Sequence, residues 1–261
     1  MTKRDYVAVR VLYFPASAGL LGWAMTLRRP FAPLFLFLAA LALTGCGDAA
    51  PDYRYRLTVE VETPEGLRSG SSVIQVRQTL KLQDSKPVGV RRRVSGEAVA
   101  IDLPNGSTLF ALLRGEDLTN WTETIMGRIA PDVEGEPYVE RLDDMLFVKG
   151  EVTLPRTFPP YGPFGERSAY PMLVTFADIN DPTSVELVDA DDLVATFGEG
   201  YALQRITVQI TDDPVTTGIE RRLDWLNRQV GSLVRRPKDT PIGEMPIEHR
   251  LTEIDFRQGA N

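Results

Sequence analysis

Ten residues, Tyr53–Glu62 (YRYRLTVEVE), set Tyr55, Leu57, Val59 and Val61 alternately with Arg54, Arg56, Thr58, Glu60 and Glu62. Only an extended chain turns every second side chain to the same side, so this run is read as a strand with one buried face. Such a strand cannot stand alone: its backbone groups need a neighbouring strand and its apolar face needs a cover. The chain must therefore build a sheet. Thr63-Pro64-Glu65-Gly66 supplies a turn by composition, and Ser71–Leu82 is a second strand-like run. There Val73, Gln75, Arg77 and Thr79 lie on one side, with Ile74, Val76, Gln78 and Leu80 on the other. Glu97–Leu103 and Thr108–Leu113 flank Pro104-Asn105-Gly106-Ser107, and Asn-Gly between apolar runs predicts a hairpin.

Further along, Glu116–Met126 has Leu118, Trp121 and Ile125 at helical spacing, and Met145–Leu154 (MLFVKGEVTL) is strand-like. Five prolines in 155–171 predict an ordered loop, in which Tyr161, Phe164 and Tyr170 offer the lining of a groove. Met172–Phe176 is read as a buried strand, Asp178–Ser184 as a turn and Val185–Val188 as a short strand. Asp189–Phe197 is read as a helix with Asp189 as its N-cap and Gly198 as its stop. Ala202–Thr211 alternates again, with Leu203, Ile206, Val208 and Ile210 as its apolar set. Thr217-Gly218-Ile219-Glu220 has the form of a capping box, predicting a helix with Ile219, Leu223, Leu226, Val230 and Leu233 on one face. Arg250–Phe256 is read as a last strand. Strands outnumber helices without alternating regularly with them, so a doubly wound parallel sheet is disfavoured. The expected fold is β-rich α+β: an antiparallel sheet or a β-sandwich with a few added helices.

The chemistry available is limited. One histidine and one cysteine cannot make a zinc site, and one cysteine closes no intramolecular disulfide. There is no phosphate loop, no dinucleotide fingerprint and no nucleophile elbow. Asp178, Asn180 and Asp181 start like a calcium loop. The sixth and twelfth positions, Thr183 and Asp189, break that pattern and leave a turn. Asp189, Asp191 and Asp192 read as acids at a helix start, and Asp143 and Asp144 have no evident partner. Arg91-Arg92-Arg93 is expected between strands on a hairpin edge, where charge blocks sheet-to-sheet aggregation or binds acidic partners. From Cys46 onward the chain has 24 basic and 35 acidic residues, a balance of -11. That repels phosphate backbones, so nucleic acid is not an expected partner. It also gives a membrane no overall basic surface to attract.

The N-terminus carries the most specific signal. Residues 31–44 (FAPLFLFLAALALT) are uncharged, too short to span a bilayer comfortably, and preceded by Arg28-Arg29. They match the apolar core of a cleavable secretion signal. Leu43-Thr44-Gly45-Cys46 comes next, and this tetrad resembles the lipobox of bacterial lipoproteins. The resemblance implies that Cys46 receives a diacylglycerol thioether and that cleavage falls between Gly45 and Cys46. It further implies acylation of the new amino group, giving an anchor of several chains where one chain holds only marginally. An ordinary signal peptide or short membrane helix that ends in a cysteine is the alternative. Met25-Thr-Leu-Arg-Arg is a complete signal start in itself, so translation is expected to begin at Met25, the alternative being that residues 1–24 extend the positive start of the signal. Gly47, rather than Asp, stands after the cysteine, which by analogy with enteric bacteria favours the outer membrane over the inner.

The implied organisation is a signal over 1–45, a tether over 46–52 and one β-rich body over 53–261. The body resembles uncharacterised lipoproteins of Gram-negative bacteria, a likeness that carries no activity. No cofactor is expected beyond the covalent lipid on Cys46. The expected partners are the membrane and a protein of the envelope. The leading functional reading is a structural or interaction module facing the periplasm. A ligand-binding lipoprotein with a pocket beneath the 155–171 loop comes second, and a carboxylate-based hydrolase third.

Overall fold

The computed structural model of the chain describes residues 50–84, 86–117, 120–131, 142–160 and 165–259, with backbone alone at 86–88. The fold is β-rich α+β, and every strand pair is antiparallel. β1 (Tyr53–Glu62), β2 (Arg68–Gln83) and β3 (Lys86–Glu97) form a meander. β4 (Val99–Asp102) succeeds β3 after one residue, and β5 (Thr108–Gly115) returns along β4. A helix, α1 (Trp121–Ile129), comes next, then three short strands: β6 (Glu151–Thr153), β7 (Thr157–Phe158) and β8 (Arg167–Ser168). The remaining elements are β9 (Pro171–Phe176), β10 (Val185–Val188), the helix α2 (Leu193–Phe197), β11 (Ala202–Ile210), the helix α3 (Ile247–Arg250) and β12 (Arg257–Gln258). The large sheet has the order β12-β3-β2-β1-β11-β6, and a second sheet has the order β10-β9-β5-β4. β7 and β8 make a small ribbon.

The alternation in β1 does what its pattern requires. Tyr55, Leu57, Val59 and Val61 are fully buried, while the residues between them are half-buried or exposed. They face the second sheet across a core that includes Ile74 and Val76 of β2, Val99 and Ile101 of β4, and Leu109 and Leu113 of β5. At Gly70 the two sheets approach so closely that an added Cβ would lie 2.5 Å from the Ala100 carbonyl oxygen. Between Glu60 and Val61 the register slips: Glu60 pairs with Arg205 and Val61 with Leu203, which leaves Gln204 over as a bulge. The slip explains why Leu203 and Ile206, three apart, both face the core although a regular strand would send them to opposite sides.

β5 and β9 read differently because both of their faces are buried. Leu109, Ala111 and Leu113 enter the core between the sheets, whereas Phe110 and Leu112 enter a second core on the far side. Met172, Val174 and Phe176 of β9 join that second core. Strands buried on both sides show continuous apolar runs instead of alternation, as TLFALL and PMLVTF do. The second core is closed by the segment after β11, through Ile219, Leu223, Trp225, Leu226, Leu233, Leu251 and Phe256.

That segment corrects the expected helix from Thr217. Gly218 sits at φ +115°, outside helical space, and the chain beyond it makes two 3-10 turns at Ile219–Arg221 and Asp224–Asn227. Gly231 at φ +78° ends any helical path, and Leu233 N–H instead donates to Leu251 O at 2.9 Å. Four of the five predicted face residues are buried, but Val230 is 88% exposed. Other expectations shift in the same way. Met145–Leu154 divides into a 3-10 turn at Asp144–Phe147 and the short β6. Arg250–Phe256 is a 3-10 turn at Glu253–Asp255, with its strand beginning only at Arg257. The cap of α2 is Asp192, whose carboxylate accepts from Ala195 N–H, and Asp189 closes a turn on Asp191 N–H instead. The first helix starts at Trp121, not Glu116, and Leu118 lies outside the described residues. Arg91-Arg92-Arg93 lies within β3, paired with Thr79, Gln78 and Arg77 of β2, instead of between strands.

Glu97 joins the large sheet to the segment that closes the second core. It is 7% exposed, and its carboxylate accepts Ile219 N–H at 2.8 Å. Burial pushes its pKa up from 4.5 despite that hydrogen bond. A carboxyl raised in the folded state contributes stability that is present below the ordinary glutamate range and lost as pH rises through the raised value. Urea unfolding of wild type and Glu97→Gln across pH 4 to 8 is therefore expected to show a stability difference that moves in favour of the variant as pH rises. A difference independent of pH would contradict this account.

Candidate functional site

Gln78 organises the place where the chain comes into the large sheet. Its side chain points inward on β2 and is 2% exposed, so each of its polar atoms needs a partner. The amide nitrogen donates to Pro51 O and to Leu142 O, both at 3.1 Å, and its oxygen accepts from Arg92 Nε at 3.1 Å. Met145 sulfur lies 3.7 Å from the same nitrogen. The backbone N–H of Gln78 donates to the Asp52 carboxylate at 3.1 Å, and Arg77 Nε lies 3.8 Å from that carboxylate. Ala50 is 6% exposed. Pro51 is thus held against the body by the side-chain amide of Gln78, and Asp52 by its backbone N–H. Gly45 and Cys46, the expected cleavage and lipidation positions, lie outside the described residues, as do Tyr161 and Phe164.

Arg156 organises the proline-rich segment. Its Nε meets both oxygens of Asp191 at 2.9 and 3.0 Å, and its Nη1 donates to Glu116 and to Ser168 Oγ, each at 2.8 Å. The guanidinium stands 5.1 Å from the centre of the Tyr170 ring. These contacts fasten the β7–β8 ribbon between the end of β5 and the turn before α2. Burial of Trp121, with Nε1–H donating to Ala169 O at 2.8 Å, fixes the other side. Arg156 thus meets two carboxylates, a hydroxyl and an aromatic ring at once, an arrangement that fastens the segment. Tyr170 therefore serves as a platform for Arg156, and its hydroxyl is pushed above the ordinary range mainly by burial.

The acidic residues singled out in the sequence do not converge. Asp178 and Asp181 accept from the backbones of Asn180 and Thr183, as turn residues do. Asp191 is taken by Arg156, and Asp192 by its helix. His249 Nδ1 lies 2.9 Å from Arg235 O. Among the described residues no group of three or more His, Cys, Asp and Glu is placed to hold a metal. A cavity of about 430 Å³ lies between the 105–108 turn and the 176–179 turn, over Phe110 and Phe176. No residue of the 155–171 loop lines it, so it is not the pocket expected there. Asp178 is its one titratable lining residue, which leaves it without an acid–base pair.

Among the described residues, no helix is long and apolar enough to cross a membrane. The chain matches no family model, no curated protein and no solved structure.

Neither Gln78 nor Arg156 stands out in the sequence. A glutamine on the apolar side of a strand is the only trace of the first; the second is one arginine among many. Replacing Gln78 by Leu removes the donor to the Pro51 and Leu142 carbonyls and the acceptor of the Arg92 Nε–H bond. The expected cost is about 1–3 kcal/mol in urea unfolding, together with faster proteolytic cutting near 50–52. Unchanged protection there would show that the amide does not hold the segment. Arg156→Ala is expected to speed hydrogen exchange at Ala169, whose N–H is bonded to Arg156 O, before it affects β1.

Proposed function

We propose that the chain is a lipoprotein of the bacterial cell envelope, exported by the signal over 1–45 and held in the outer membrane by lipid on Cys46. The observation that carries this reading is the lone cysteine of the chain, placed last in Leu43-Thr44-Gly45-Cys46 directly after an uncharged apolar run. Cleavage before Cys46 leaves Gly47–Ala49 between the lipid and the residues fastened by Gln78. Such an anchor needs no further membrane element, since several acyl chains suffice.

The body acts as an interaction module for another envelope component. Two features support this: among the described residues, the acids singled out in the sequence at Asp178, Asp181, Asp191 and Asp192 serve turns, an ion pair and a helix cap, and the cavity over Phe110 has Asp178 as its one titratable lining residue. Gly47 after the cysteine supports sorting to the outer membrane.

The test is the intact mass of membrane-extracted wild type beside Cys46→Ala, with fractionation of the envelope. The expected result is a wild type that begins at a diacylglycerol-modified, acylated Cys46 and a variant that keeps its signal. Identical cleavage of both at another bond, with release of both into the soluble fraction, would overturn the reading.

A further inference from the structure

β2 and β3 run on well past the start of β1. Tyr53, the first residue of β1, pairs with Val76, so residues 77–83 and 86–93 project as a two-stranded arm on the side where the chain comes in. Over 77–93 the arm has six basic residues (Arg77, Lys81, Lys86, Arg91, Arg92, Arg93) against one acid, Asp84. From Cys46 onward the balance is 24 basic to 35 acidic. Without the arm it becomes 18 to 34, so a net +5 hairpin stands on a body of net -16.

The pleat sorts these charges. Arg92 is on the inner side with Gln78, to which it donates. Arg77, Thr79 and Lys81 share the other face with their cross-strand partners Arg93, Arg91 and Gly89. Arg77, Lys81, Arg91 and Arg93 are all exposed. Asp52 lies 3.8 Å from Arg77, and among the described residues no ion pair engages Lys81, Arg91 or Arg93. Arg77 and Arg93 stand directly opposite each other, an arrangement that weakens a ladder unless an anion lies over it.

We propose that this basic face lies on anionic phospholipid headgroups, of the phosphatidylglycerol type, in the membrane that holds the chain. The inference rests on the lipid anchor at Cys46. Four peptide steps separate Cys46 from Ala50, at most about 14 Å of extended chain. Asp52 is already bonded to the root of the arm at Gln78, so the lipid is attached beside the arm and not at the opposite end of β1. Exposed Leu146 and Phe147 come shortly after Leu142, whose carbonyl shares the Gln78 amide with Pro51. They add apolar surface at the same end. The acidic remainder of the body, repelled by the same headgroups, is turned toward the periplasm.

Thr79→Cys gives the lipidated chain a single free thiol on the basic face. The protein, with lipid on Cys46 verified by mass, is labelled there and reconstituted into vesicles of phosphatidylethanolamine and phosphatidylglycerol containing a headgroup-spin-labelled quencher lipid. Glu65→Cys, in the turn at the far end of β1, serves as the reference. The expected result is severalfold stronger quenching at 79 than at 65. It should fall toward the reference in phosphatidylcholine vesicles, in high salt and in Arg91→Glu/Arg93→Glu. The salt series uses no charge variant and so reads the interaction even if the double variant folds poorly. Equal quenching at 79 and 65 on a chain that does carry lipid overturns the proposal and leaves the anchor standing. Absence of lipid on Cys46 overturns both. Shielding of position 79 in cells but not on vesicles means that a protein covers the arm, which also overturns the proposal.

Discussion

Burial of β5 and β9 on both faces is the constraint on which the rest of the body depends. One face is covered by the large sheet and the other by a segment with little regular structure of its own. Phe110 meets Phe176 and Phe256 at 5.6 and 6.3 Å between ring centres, and Trp225 closes the group at 5.8 Å from Phe176 and 5.6 Å from Phe256. Burying a side chain of this size stabilises by about 1.5–3 kcal/mol, so the cluster is held by apolar area more than by its hydrogen bonds. Those bonds set the path of the cover. Trp225 Nε1–H donates to Ile179 O at 3.1 Å, and Arg114 Nε reaches the buried Asp255 carboxylate at 2.7 Å. Asp255 also caps its own turn through Thr252. Its carboxyl is pushed up by burial more than these partners pull it down.

The elements legible in the sequence are those whose pattern is local. The alternation of β1, the Asn105-Gly106 turn and the unbroken apolar runs of β5 and β9 each arise from the residues within one element. The elements that differ from expectation depend on distant partners. Leu223 and Leu226 have helical spacing because both must enter the second core, and 3-10 turns satisfy that demand as well as a helix does. Gly218 is the available warning, since a left-handed residue at the start of a helix contradicts its capping box. Arg91-Arg92-Arg93 looks like a loop because strands rarely hold three successive charges. Here the pleat sends Arg91 and Arg93 to a solvated face, while Arg92 turns to the inner side and donates to Gln78.

The functional signals divide in the same way. The lipobox resemblance is a contiguous tetrad and needs no fold to be recognised. Gln78 becomes visible only when Pro51, Leu142 and Arg92 are brought around it from three separate stretches. Arg156 likewise draws Glu116, Ser168, Tyr170 and Asp191 together across the fold. Both are devices for fixing segments in place.

The place of β1 in the large sheet has a kinetic consequence. β1 pairs with β2 along one edge, but its other edge is filled by β11, with Tyr55 set against Ile210. A chain that emerges from its N-terminus can complete the first meander early and then waits for most of its length before that edge is satisfied. Loop closure over such a separation is slow, and an open apolar strand edge is the template on which chains misassemble. Folding speed therefore hinges on the Leu203–Gln209 stretch, because its arrival seals β1 and sets the bulge at Gln204 in one event.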